Sequence, residues 1–60
     1  MTPPTPDQVR QGREAAGLTQ TEAAALIYKT RGAWANYERG REMDPALWEL
    51  FIIKTTKTPA

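Results

Sequence analysis

Apolar side chains recur three or four positions apart along most of the chain, which is the spacing of helices rather than strands. No stretch of strand length alternates apolar and polar residues. The pattern predicts four helices, over residues 5–16, 19–27, 30–38 and 45–54. The expected fold is therefore all-α, a compact bundle of four or five short helices.

Each predicted helix is bounded by residues that are typical of helix ends. Side chains that can cap a first turn stand at the four starts: Thr5, Thr19, Thr30 and Asp44. Thr5 with Gln8, and Thr19 with Glu22, also have the spacing of a capping box. The first and third helices are followed by glycines that can take a left-handed conformation: Gly17 and Gly40.

The length of the chain, 60 residues, allows only one small domain. The proline-rich residues 1–4 are expected to form a flexible arm, residues 5–55 the folded domain and residues 56–60 a flexible tail. A domain of this size depends on well-packed helices or on a partner for its stability.

Composition removes several classes of function. The chain has no cysteine and no histidine, which excludes a disulfide framework, a Cys/His zinc site, a thiol nucleophile and an imidazole base. We therefore expect no enzyme, no metal, no cofactor and no small-molecule substrate. The longest apolar run, residues 50–53, is too short to span a bilayer, and the start lacks a signal-peptide pattern. The expected location is cytoplasmic, without a membrane partner.

Positive charge is concentrated in one segment. Residues 29–41 contain four basic side chains and one carboxylate, a net +3, so the rest of the chain must carry −2 to give the overall +1. Such a segment suits an anionic polymer, because neutralising phosphates supplies the sequence-independent part of nucleic-acid affinity. A solvated basic face with no ligand is the alternative.

The third helix sorts its side chains onto two faces when residues are placed about 100° apart. Trp34 and Tyr37 share one face, where they would anchor the helix to the domain. The opposite face is basic, polar or small: Arg31, Gly32, Ala35, Asn36 and Arg39. A slender helix of this kind fits the DNA major groove, where arginine can read guanine, asparagine can read adenine and an alanine methyl can meet thymine.

Each of these residues also has a plainer interpretation. Trp34 and Tyr37 can simply be core residues. Gly32 can be incidental, at a cost of about 1 kcal/mol in helix propensity. Arg31 and Asn36 can be solvated surface residues. It is their combination that indicates DNA binding.

Residues 13–40, REAAGLTQTEAAALIYKTRGAWANYERG, resemble the Cro and phage-repressor helix-turn-helix family, also called lambda-repressor-like or XRE. GLTQ and YERG at this separation carry the resemblance. It implies a compact helical domain in which helix three enters the major groove and helix two lies across the DNA backbone.

The resemblance and the two faces of helix three together assign expected DNA contacts. The residues expected at base edges are Arg31, Gly32, Ala35 and Asn36. The residues expected at phosphates are Gln20, Lys29, Thr30, Arg39 and Arg41. Contacts of the second kind position the protein without specifying a sequence.

Arg13 and Glu38 match an ion pair that joins helix one to the recognition helix in this family. The helical spacing also turns Glu38 inward with Trp34, where an unpaired carboxylate would be costly. The alternative is two exposed charges with a negligible interaction.

The chain departs from the family pattern at the turn and on helix one. Tyr28 stands where glycine is common and Lys29 where a buried valine or isoleucine is usual, so a longer or differently shaped turn is expected. Gly12 replaces a customary leucine, and Trp34 a smaller aliphatic residue. We hypothesise that the Trp34 indole fills the space above Gly12.

The fourth helix is more apolar than one core requires. Leu47, Leu50 and Phe51 share a face that should close the core, whereas Trp48 and Ile52 form a second stripe pointing elsewhere. This stripe is expected to form a homodimer interface, pairing two recognition helices on a pseudo-palindromic operator. A broad, partly exposed helix is the alternative.

These observations favour a sequence-specific regulator that binds double-stranded DNA, of the small phage or mobile-element repressor type. The alternative is a protein-interaction module or antitoxin-like subunit that uses the exposed fourth helix. Binding of single strands or RNA by stacking is disfavoured, because both aromatics of helix three are expected in the core.

Overall fold

A computed structural model describes residues 2–56. They form four helices, α1 (Pro6–Ala15), α2 (Gln20–Leu26), α3 (Arg31–Arg39) and α4 (Pro45–Thr55), and this part of the chain contains no strand. The predicted all-α fold is confirmed. Of the predicted arm and tail, residue 1 and residues 57–60 lie outside the described range.

The predicted caps set the helix starts. The side chains of Thr5 and Thr19 accept hydrogen bonds from the backbone N–H groups of Gln8 and Glu22. The side chains of Gln8 and Glu22 accept from the backbone N–H groups of Thr5 and Thr19, which completes both capping boxes. At the starts of α3 and α4, the side chains of Thr30 and Asp44 each accept one backbone hydrogen bond. At the helix ends, Gly17 and Gly40 have the predicted positive φ, 72° and 130°.

The turn between α2 and α3 keeps a left-handed residue although glycine is absent. Tyr28 has a φ of 59°, a region that costs a non-glycine residue about 1 kcal/mol. The Lys54 ammonium from α4 supports this turn. It donates to the Leu26 carbonyl at 2.8 Å and the Tyr28 hydroxyl at 3.1 Å, and it lies 4.3 Å from the centre of the Tyr28 ring. Tyr28 therefore has the left-handed backbone that glycine adopts most readily, and Lys54 holds its side chain.

The core lies between α3 and the other three helices. Its fully buried large side chains come from all parts of the chain: Val9, Ile27, Trp34, Met43 and Phe51. The Trp34 and Phe51 rings are tilted with centres 4.9 Å apart, a favourable aromatic geometry that joins α3 to α4. Leu47 and Leu50 pack against this core as predicted.

Trp48 does not point away from the core, and this expectation was wrong. Its ring stacks on Phe51, with centres 5.6 Å apart and planes 17° apart. Its edge covers Gly12 on α1, because a Cβ at Gly12 would lie 2.7 Å from Trp48 Cη2. The indole above Gly12 is therefore that of Trp48 and not, as hypothesised, that of Trp34.

Gly12→Ala is expected to lower the free energy of unfolding by about 1–2 kcal/mol, although alanine is the better helix former. The methyl group would overlap the rigid Trp48 ring, which stacks on Phe51, and would also lie 3.5 Å from Phe51 Cε2. Urea denaturation should detect the loss, and Gly12→Leu should lose more. A stabilised Gly12→Ala variant would contradict this packing.

Pro4, the last residue of the segment expected to be an arm, is buried. The packed part of the molecule thus begins one residue before the predicted domain boundary at Thr5. The helices of residues 2–56 are all too short or too polar to cross a bilayer.

Candidate nucleic-acid interface

Helix α3 is held by its two aromatic side chains. Trp34 is completely buried, and only 7% of the Tyr37 surface is exposed to solvent. On the opposite side, Arg31, Gly32 and Asn36 are exposed. The two faces predicted from the sequence therefore have the predicted burial.

A groove with a volume of about 430 Å³ runs along α3, and we call it the α3 groove. Its walls come from the turn before α3, from α3 itself and from the segment after it: Lys29, Thr30, Gly32, Ala33, Asn36, Tyr37 and Arg41. Five of these seven residues were predicted to contact DNA. The tertiary fold thus brings both ends of the basic segment to one site.

The residues that line the α3 groove make it electropositive. Lys29 and Arg41 supply two cations, and no carboxylate of residues 2–56 lines it. The first turn of α3 also lacks an acidic residue, whereas Glu22 occupies that turn in α2, so the positive end of the α3 dipole is not neutralised by its own side chains. Thr30 Oγ1 accepts from the Ala33 N–H at 3.2 Å and keeps its hydroxyl hydrogen for another acceptor.

The other predicted contact residues lie outside the α3 groove. Arg31 and Arg39 are exposed, and Ala35 is partly buried. Gln20 is also partly buried, and its amide donates to Glu38 Oε1 at 3.3 Å. A phosphate contact by Gln20 must therefore use its remaining amide hydrogen or its backbone N–H at the start of α2.

The predicted pair of Arg13 and Glu38 is present and bidentate. Arg13 Nε and Nη2 donate to the two carboxylate oxygens at 2.7 and 3.2 Å, and the Trp34 indole N–H donates to Oε2. With the Gln20 bond, one carboxylate joins α1, α2 and α3. The side chains are largely buried, with 17% of Arg13 and 9% of Glu38 exposed.

The hydrogen bonds around Glu38 control its charge. Burial raises the pKa of this carboxyl, but the bonds from Arg13, Trp34 and Gln20 outweigh burial, so the pKa lies below its ordinary value. In return, the bond to Glu38 raises the pKa of Arg13 despite partial burial. The ion pair thus stays charged and fixes the direction of α3.

Two residues of the α3 groove were missed by the sequence reasoning. Ala33 lies about 100° from Gly32 around the helix, at the edge of the face that was identified. Tyr37 was assigned to the core, which is correct for its ring, but a tyrosine is long enough to bury its ring and present its hydroxyl elsewhere. Helical spacing alone could have found Ala33 but not this second role of Tyr37.

Within residues 2–56, no three side chains of aspartate, glutamate, histidine or cysteine converge to hold a metal ion. The polar groups of the α3 groove are instead two cations, two hydroxyls and an amide. They can donate hydrogen bonds to an anion but do not form a nucleophile and base pair.

The family model described as "Helix-turn-helix domain" matches residues 7–51, from the first turn of α1 into α4. This match covers most of the chain, so the protein belongs to the helix-turn-helix domain family, as the resemblance to Cro and phage repressors implied. No curated protein matches the sequence. The family assignment suggests a DNA-binding regulator.

Proposed function

We propose that the protein is a sequence-specific transcriptional regulator that reads the major groove of double-stranded DNA with α3. The supporting observation is that α3 has two different faces. One face is buried through two aromatic side chains, and the other is exposed and consists of basic, polar and small residues. A helix can place base-reading side chains reproducibly only if it is held rigidly by its domain. Trp34, Tyr37 and the Glu38 network supply that rigidity.

In this proposal the residues of α3 divide into two roles. Arg31 and Asn36 read base edges, while Gly32 and Ala35 allow close approach. The contacts to phosphate come from Gln20, Lys29, Thr30, Arg39 and Arg41. Occupying an operator in this way obstructs polymerase, which is how a small repressor of the phage or mobile-element type acts.

A homodimer on a pseudo-palindromic operator is part of the proposal. The packing of Trp48 against Phe51 leaves less of the predicted stripe for an interface, but Ile52 and Ile53 of α4 remain 39% and 63% exposed. Burying these side chains between two copies would remove apolar surface from water. A monomer in sedimentation that also binds DNA as a monomer would contradict this part.

The same exposed isoleucines favour a second candidate, a protein-interaction module or antitoxin-like subunit. That function needs a tight protein partner and does not need the basic surface of α3. The two candidates therefore differ in the ionic strength dependence of DNA binding.

Selection of bound sequences from a random duplex pool, followed by titration at several salt concentrations, tests the proposal. A specific regulator should enrich a defined sequence, and the logarithm of its affinity should fall steeply with the logarithm of salt concentration. A pool that yields no preferred sequence, with weak binding that salt does not alter, would reject DNA regulation.

A further inference from the structure

The Tyr37 hydroxyl has no hydrogen-bond partner in the described part of the domain, residues 2–56. Every buried side-chain nitrogen or oxygen atom in that range does have a hydrogen-bond partner. An atom without a partner is therefore not buried, so the hydroxyl must reach solvent. Tyr37 is otherwise almost completely buried and lines the α3 groove, so the groove is where its polar end emerges.

We infer that the Tyr37 hydroxyl binds the DNA backbone, donating a hydrogen bond to a phosphodiester oxygen that enters the α3 groove. The inference rests on the proposed function and adds to it a ligand residue that the basic pattern does not include. Lys29 and Arg41 line the same groove and supply the opposite charge.

The burial of Tyr37 favours a phosphate over a base edge. Gly32 and Asn36, which are proposed to face the bases, also line the groove, but they are exposed, whereas Tyr37 is largely buried and its hydroxyl does not protrude with them. Phosphates project from the duplex and can reach a recessed hydroxyl, whereas base edges lie on the floor of the DNA groove. The α3 groove is concave, and among the described residues that line it are two with hydroxyl groups, Thr30 and Tyr37, and two cations, but no carboxylate. This is the chemistry that a phosphodiester requires.

Gly32 supports the same assignment. Within residues 2–56, and apart from the backbone of α3 itself and the adjacent residues, a Cβ placed on Gly32 would have only Thr30 Oγ1 within 4 Å, at 3.9 Å. The packing of this part of the chain therefore does not require glycine there. Gly32 nevertheless lines the α3 groove, and the missing side chain keeps the groove open.

Tyr37→Phe removes the hydroxyl and keeps the anchoring ring. We expect the variant to bind a duplex selected by the wild type with a Kd about tenfold higher than that of the wild type, because a hydrogen bond to a charged acceptor is lost. Fluorescence anisotropy measures both Kd values. The melting temperature and the salt dependence should stay close to those of the wild type, because the hydroxyl has no partner within residues 2–56 and carries no charge. Tyr28→Phe is the matched control, since that hydroxyl lies outside the α3 groove, and it should bind like the wild type.

Duplexes with single neutral methylphosphonates identify the acceptor. One substitution should weaken the wild type but have a smaller effect on Tyr37→Phe, because the contact is already lost. Gly32→Ala, which narrows the groove without a clash inside the protein, should also bind more weakly while melting no earlier than the wild type.

Three outcomes would overturn the inference. If the wild type binds DNA with steep salt dependence and Tyr37→Phe binds equally well, the inference fails and the proposed function stands. If the loss of affinity in Tyr37→Phe depends on the identity of one base pair, the acceptor is not a phosphate. The same holds if every methylphosphonate weakens Tyr37→Phe as much as it weakens the wild type. If the wild type binds no duplex, the proposed function fails as well.

Discussion

Replacing Glu38 with glutamine is expected to lower the free energy of unfolding by about 3 kcal/mol, the largest effect of any substitution considered. The carboxylate accepts four hydrogen bonds from three side chains, and Arg13 is its bidentate partner. Glutamine preserves the volume but leaves the largely buried guanidinium with only the exposed carboxylate of Glu14, 4.0 Å from Nη2, as a counter-ion. A domain of this size has only about 5 kcal/mol of stability, so the variant should be close to unfolding. Urea denaturation at neutral pH measures the loss.

Glu14→Gln provides the matched control, because Glu14 is the other carboxylate near Arg13. Its Oε2 lies 4.0 Å from Arg13 Nη2, and the side chain is 60% exposed. An exposed pair of this kind contributes at most about 1 kcal/mol. The contribution of the Glu38 network would be refuted if both variants lost equally little stability.

The same network makes stability depend on acid. The pKa of Glu38 in the folded protein lies below the ordinary 4.5, because hydrogen bonds from Arg13 and its neighbours outweigh burial. A carboxyl with a lowered folded pKa stabilises the protein above the unfolded pKa, and this contribution is lost as pH falls through the folded pKa. The wild type should therefore lose stability below about pH 4.5 more steeply than Glu38→Gln. The variant should retain some dependence, since hydrogen bonds from Thr19 also lower the pKa of Glu22.

Arg31→Ala is expected to weaken binding to the preferred duplex by about 1–3 kcal/mol and to relax specificity at one base pair. Arg31 is the first residue of α3 and is exposed, so its guanidinium is free to make two hydrogen bonds to guanine. Competition between the preferred duplex and single-base variants measures the change.

Arg41→Ala separates positioning from reading. Arg41 follows the end of α3 and lines the α3 groove, where we expect a phosphate. Its replacement should weaken all duplexes alike and reduce the slope of the salt dependence by about one unit. If both arginine variants changed affinity equally for every sequence, the assigned roles of Arg31 and Arg41 would be wrong.

Helix positions were predictable because caps act over three or four residues. Thr5 and Thr19 sit where their capping boxes require, and Gly40 ends α3 as predicted. The inward turn of Trp34 and Tyr37 also follows from helical spacing alone. Such features depend on the order of nearby residues, which the sequence states directly.

Contacts between distant residues were less predictable. The ring above Gly12 belongs to Trp48, and Met43, in the segment before α4, is fully buried. Neither follows from periodicity, because each depends on how α4 crosses the other helices. Helical spacing predicted that Glu38 turns inward and needs a partner, and the family resemblance identified Arg13 as that partner.

The sequence by itself determined an all-helical domain, its caps, the inward aromatic face of α3 and the concentration of positive charge in residues 29–41. Only the tertiary structure decided that Lys29, Tyr37 and Arg41 line one groove. The physical reason is range: capping and amphipathicity are fixed by neighbours along the chain, whereas a concave site is formed by elements whose separation depends on the packing of the whole core.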